Sequence, residues 1–119
     1  MNKYHIIGII LARKGSKRIK NKNLKKISGI SLIEITIKFA KKLKFLTNIV
    51  ISTDDRKIFN LGKKNKLLSP GLRPKNLRTD STSSEAVTFN VIKWYEKKFC
   101  IQKILKIKIY FFILMVPYI

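Results

Sequence analysis

Six cations crowd one short segment of this chain. In LARKGSKRIKNKNL, residues 11–24, Arg13, Lys14, Lys17, Arg18, Lys20 and Lys22 surround the Gly15 and Ser16 pair, with no acidic residue among them. Like charges this close repel one another unless an anion lies between them. The segment directly follows an apolar run at residues 6–11. A strand that ends in a small, flexible, cationic loop can hold phosphates through main-chain amides and side-chain charge. The same composition also describes a solvated basic loop, and the rest of the chain must decide between the two.

Other groups could do chemistry, and each has a structural reading beside it. Asp54, Asp55 and Asp80 could ligate a metal, but their positions read first as helix caps and loop anchors. The hydroxyls of Thr82, Ser83 and Ser84 could bind a ligand or cap a helix, and one arrangement can do both. His5 is the only histidine, and nothing near it in sequence supplies the partners of a metal site or a Ser-His pair. Cys100 is the single cysteine, so no internal disulfide can form. Its neighbours Phe99 and Ile101 predict a buried structural thiol.

These groups need elements to position them. The apolar run at residues 6–11 reads as a strand covered on both faces. Ser31 and Glu34 have capping-box spacing and open a helix to about Lys44, with Ile33, Ile37 and Ala40 as its apolar stripe and Lys38, Lys41 and Lys42 on the wet side. NIVIS at residues 48–52 is a second buried strand, closed by Thr53, Asp54 and Asp55, which cap a helix through about Lys66. Residues 68–80 hold Pro70, Gly71 and Pro74 and read as a loop. Thr82 and Glu85 repeat the capping-box spacing and open a third helix to about Lys98, buried along Val87, Val91, Trp94 and Tyr95. Residues 107–116 form a third strand. Strand, helix, strand, helix, helix, strand predicts one α/β domain over residues 1–119, a Rossmann-like parallel sheet flanked by helices. Ligands of such sheets bind beyond the carboxyl ends of the strands, where the basic loop and the corner at residues 52–55 should meet.

Four ordered segments then become recognisable. A-R-x-G-S-K-R-I-x-N-K-N-L at residues 12–24, S-G-I-S-L-I-E-x-T-I at 28–37, V-I-S-T-D-D at 50–55 and L-R-P-x-x-L-x-T-D-S-T-S-S at 72–84 resemble the acylneuraminate cytidylyltransferases, the CMP-sialic acid synthetases. The resemblance implies the nucleotide-diphospho-sugar transferase fold and a reaction joining CTP to a nine-carbon keto-sugar acid. The products are a CMP-sugar and pyrophosphate, the cofactor is Mg²⁺, and the complete enzyme is a homodimer in the cytoplasm. It also implies roles for residues. Arg13 and Lys22 would be the catalytic cations on the triphosphate, with the amides around Gly15 and Ser16 cradling it. Lys17, Asn23 and Arg73 would contact the nucleotide, as would Thr82, Ser83 and Ser84 near the base and ribose.

The resemblance weakens beyond about residue 100. The family's strand runs into Gln-Pro-Thr-Ser-Pro, whereas here Val116, Pro117 and Tyr118 lead to Ile119. The sugar-binding segments, the dimerisation insert and the acidic pair for catalytic metal have no match in the 119 residues. The sequence therefore reads as the N-terminal fragment of such an enzyme, without metal ligands and expected to be inactive alone.

Bulk composition supplies the alternative. With 27 Lys and Arg against 6 Asp and Glu, the net charge is +21. Such charge favours any polyanion, and a small basic nucleic-acid-binding protein is the rival reading. The cations are scattered from Lys3 to Lys108 rather than gathered in one recognisable nucleic-acid motif. The apolar runs at either end fall short of the ~20 residues that a membrane span needs, so no membrane partner is expected.

Overall fold

The apolar run near the start forms the middle strand of a parallel sheet, and the whole fold is arranged around covering it. The structure, a computed structural model, describes residues 4–13, 26–27, 29–78, 83–100 and 108–115. In chain order β1 is Tyr4–Ala12, and β2 (Lys26–Ile27) and β3 (Ile30–Ser31) make a short antiparallel hairpin. Then come α1 (Leu32–Lys42), β4 (Asn48–Thr53), α2 (Arg56–Lys64), a 3₁₀ turn at Lys75–Leu77, α3 (Ser84–Lys98) and β5 (Lys108–Met115). The sheet order is β4-β1-β5, all parallel, with Ile7 opposite Asn48, Ala12 opposite Thr53 and Leu11 opposite Met115.

Alternate residues of β1 serve opposite cores, which is why residues 6–12 are apolar without a break. Ile10 and Ala12 join Ile51 beneath α1 and α2, against Leu32, Ile33, Ile37, Ala40 and Ile58. Ile7, Ile9 and Leu11 join Val50 beneath α3, against Val87, Val91 and Tyr95. Each fully buried Ile contributes ~1.5–3 kcal/mol, so the strand is the main anchor of both layers. The α/β class and the parallel sheet with helices on both faces are as the sequence implied.

The helix ends follow local chemistry. The Ser31 hydroxyl accepts from the Glu34 amide at 3.2 Å and donates to the Glu34 carboxylate at 3.1 Å, closing the expected cap. α1 stops at Lys42 and α2 at Lys64, each short of the expected end. After α2, Asn65 turns its side-chain amide onto the Leu61 carbonyl at 2.9 Å, and Lys66 takes a left-handed φ of 61°. α3 begins one residue later than its capping box suggested. The extended cap is Ser83, whose hydroxyl accepts from the Ala86 amide at 3.1 Å.

Cys100 corrects another expectation: it is exposed, not buried. It lies just past the C-cap of α3 in a left-handed turn, φ 51°, and that position leaves it in solvent.

Candidate functional site

Parallel pairing brings the ends of β1 and β4 to one edge, with Leu11 beside Ser52 and Ala12 beside Thr53. From there β1 passes into the half-buried Arg13, and β4 into Asp54 and Asp55. Asp55 is buried and serves as the cap of α2: its carboxylate accepts from the Lys57 amide at 2.8 Å, while its own amide donates to the Thr53 hydroxyl at 3.0 Å. The helix directions bring further polar groups here. Tyr95, near the end of α3, bonds to His5 and Asn48 at the opposite edge, so the first turn of α3 lies at the carboxyl edge. α1 and α2 likewise begin here, and their positive ends favour anions.

The loop after α2 adds the central group. Leu72 bridges to Thr53, and the Arg73 amide donates to the Thr53 carbonyl at 3.0 Å, so the loop runs along the end of β4. The Arg73 side chain then folds back under the strand end. Its Nε donates to the Ser52 hydroxyl at 3.1 Å and its Nη2 to the Ser52 carbonyl at 3.0 Å. Arg78 in turn donates from Nε to the Arg73 carbonyl.

Only 7% of Arg73 is exposed, unusual for a cation that must shed its water. Burial lowers its pKa, the charge of Asp54 pulls it back up, and the neighbouring charge of Arg13 lowers it further. An arginine still remains protonated at neutral pH. Two guanidinium groups from separate segments therefore share one edge, with Asp54 as the acidic neighbour of Arg73. A cavity of ≈ 180 Å³ opens between this loop and α3, with Ser52, Gly71, Arg73, Asn90 and Trp94 among its lining.

The structure thus brings Arg13 and Arg73 together and sets Ser83 and Ser84 at the head of α3 on the same edge. Ser83 is engaged as a cap, and the Ser84 carbonyl accepts from the Thr88 hydroxyl at 2.7 Å. Gly15, Ser16, Lys17, Lys22, Asn23 and Thr82 lie outside the described residues, as do Arg18 and Asp80. Sequence reasoning placed Ser52 in the corner at this edge but missed its role as the partner of Arg73. Its only signal was a small polar residue closing an apolar strand just before two carboxylates.

The carboxylates described here do not make a cation seat. Asp55 is committed to capping and Asp54 is the acidic neighbour of Arg73. Among the described residues no three His, Cys, Asp or Glu side chains gather as a metal site would need. The groups present at this edge suit an anion instead.

A family model described as cytidylyltransferase matches residues 7–103, a span containing Arg13, Ser52, Arg73 and the head of α3. The chain belongs to the cytidylyltransferase family. Among relatives in this family, the pseudaminic acid cytidylyltransferase of Campylobacter jejuni is 40% identical over 85 residues, covering 71% of this chain and 37% of that protein. The CMP-N,N'-diacetyllegionaminic acid synthase of Legionella pneumophila is 36% identical over 77 residues, covering 65% and 33%. The chain therefore spans about a third of the length of these cytidylyltransferases. Its fold also matches a solved CMP:2-keto-3-deoxy-manno-octonic acid synthetase complexed with CTP, at a TM-score of 0.63 and 21% identity, over 76% of this chain and 35% of that one.

Proposed function

We propose that this cytidylyltransferase chain forms the nucleotide-binding part of a CMP-nonulosonate synthetase of the cytoplasm, and that CTP sits at the carboxyl edge of β1 and β4. The observation that carries the reading is the buried Arg73, held by Ser52 beside Arg13 in a chain of this family. A triphosphate is an anion suited to two guanidinium groups at an edge where three helices begin. Relatives named for pseudaminic and legionaminic acid support a nine-carbon keto acid as the sugar partner.

In the reaction so implied, the anomeric hydroxyl of the sugar attacks the α-phosphorus of CTP. The new O–P bond forms as the α–β bridging P–O bond breaks; pyrophosphate leaves with that electron pair, and the hydroxyl proton passes to solvent. Arg13 and Arg73 would bind the nucleotide phosphates, orient the α-phosphate and disperse its negative charge. Lys22 and the Gly15 and Ser16 amides would complete the cradle, with Lys17, Asn23 and the hydroxyls of Thr82, Ser83 and Ser84 along the nucleotide. Mg²⁺ would neutralise phosphate charge in the complete enzyme, on ligands other than the carboxylates described above.

Because the 119 residues span about a third of those relatives, we expect them to bind CTP without turning it over. Calorimetric titration of CTP into the chain tests the reading. Arg73→Ala and Arg13→Ala should each weaken binding about tenfold, the effect of losing one charge-assisted contact of ~1.4 kcal/mol. CTP affinity unchanged by both substitutions would overturn it.

A further inference from the structure

The seam between α1 and α2 has no part in nucleotide binding as described, yet it concentrates charge in a way its own neighbours do not balance. Both helices run away from the carboxyl edge, and the end of α1 and the residues just past α2 line one cavity beside the start of β4. Two cavities open side by side along this seam, of ≈ 380 Å³ and ≈ 210 Å³, and they share Asn65. Lys41, Lys44 and Lys66 line the larger, while Lys38 and Lys64 line the smaller. All five lysines are exposed. The one carboxylate among the described lining residues is Glu34, which is tied into the Ser31 cap.

Helix ends account for part of this charge. Each C-terminus carries roughly −0.5 of an elementary charge, so the two ends and Glu34 offset about two of the five lysines. About three positive charges remain on the seam after that balance. They are also arranged in two walls. Lys38, Lys41 and Lys44 follow one another at three-residue intervals, ~4.5 Å of rise per step where the helix holds. Lys64 and Lys66 stand across from them on either side of Asn65.

A recessed trough with cations on both walls fits a linear polyanion lying along it. A bilayer is planar and would meet the convex outer faces of the helices instead. A single compact phosphate would occupy one of the two successive cavities, not both. We propose that the α1–α2 seam binds the phosphodiester backbone of a single-stranded nucleic acid, a second binding function away from the nucleotide edge.

Anisotropy of a labelled oligothymidylate, titrated with the full 119-residue chain across a salt series, tests this. The triple variant Lys38→Gln, Lys41→Gln, Lys44→Gln is compared with Lys93→Gln, Lys97→Gln, Lys98→Gln on α3, which removes the same charge elsewhere. All six side chains are exposed, so both variants keep the fold. The seam variant should lower the slope of log affinity against log salt by about 2, at ~0.7 per phosphate contact. The α3 variant should leave the slope unchanged, and CTP affinity should be unchanged in the seam variant, so failure here is distinct from failure of the nucleotide reading. Equal losses from the two variants would mean diffuse charge and overturn the proposal. Displacement of the oligonucleotide by polyglutamate at equal charge, or binding of anionic vesicles lost in the seam variant, would overturn it as well.

Discussion

Arg73 and Ser52, twenty-one residues apart in sequence, are joined at two points: Nε to the hydroxyl at 3.1 Å and Nη2 to the carbonyl at 3.0 Å. Two contacts fix the plane of a guanidinium where one would leave it free to swing. The strand end therefore sets the direction in which Arg73 presents its charge, before any ligand arrives. Preorganised charge of this kind needs no rearrangement when an anion binds.

Ser52→Ala removes the hydroxyl and leaves Nε buried without that acceptor. The loss should destabilise the fold by ~1–3 kcal/mol, the cost of stranding a buried charged donor. CTP affinity should fall severalfold, since Arg73 keeps only its carbonyl contact. Ser52→Thr restores the hydroxyl on a residue suited to a strand and should recover most of both. Urea unfolding and calorimetry on the two variants measure this, and equal behaviour of Ala and Thr would contradict it.

At the other edge of the sheet, Tyr95 ties three elements together. Asn48 donates from Nδ2 to the Tyr95 oxygen at 2.8 Å, and the Tyr95 oxygen lies 2.8 Å from His5 Nδ1. In the tautomer that leaves Nδ1 bare, His5 accepts the phenol proton. Burial raises the Tyr95 pKa, with the Asn48 bond opposing part of that rise. The folded state thus holds the phenol proton more tightly than the unfolded chain, where tyrosine ionises near pH ~10. Stability from this source is fully present below pH ~10 and is lost as pH rises through the folded value. Tyr95→Phe should cost ~1–3 kcal/mol at neutral pH, and the gap between it and the parent chain should narrow above pH ~10. A gap that stays constant into alkali would contradict the assignment.

Two glycines separate close packing from mere proximity. A methyl at Gly62 would lie 2.8 Å from Cγ2 of the buried, β-branched Ile51, and one at Gly8 the same 2.8 Å from Cδ1 of Leu46. The Leu46 methyl is the far end of a flexible side chain and can move, whereas the Ile51 methyl is held at its branch. Gly62→Ala should destabilise by ~1–2 kcal/mol, overpacking outweighing the ~1 kcal/mol gain in helix propensity. Gly8→Ala should cost less. Denaturant midpoints compare the two directly, and a stabilised Gly62→Ala would show that the helix can shift away.

Much of this was legible because the physics involved is local. The unbroken apolar run of β1 announced burial on both faces, and Ser31 with Glu34 announced a helix start. What the sequence hid depends on distant partners or on choices between near-equal neighbours. Nothing local distinguishes Ser52 from any serine at a strand end; its role appears only when the loop returns Arg73 beneath it. Thr82 and Ser83 are both competent caps, and the choice fell to Ser83, whose extended backbone starts the helix with Val87, Val91 and Tyr95 turned to the sheet. Cys100 has apolar neighbours in sequence, yet it follows a helix cap in a left-handed turn and faces out. The two-residue strands β2 and β3 carry too few residues to show a period, and Gly29, with φ 84°, is their one local mark.

The most direct test of the account is to map where CTP touches the chain, using amide chemical shifts of isotopically labelled protein during a CTP titration. The expected shifts cluster at Arg13, at Ser52 through Asp55, at Arg73 and in the first turn of α3, with His5, Asn48 and Tyr95 at the opposite edge unmoved. Shifts confined to the lysines of the α1–α2 seam, or spread evenly over the basic surface, would contradict a triphosphate seat at the carboxyl edge.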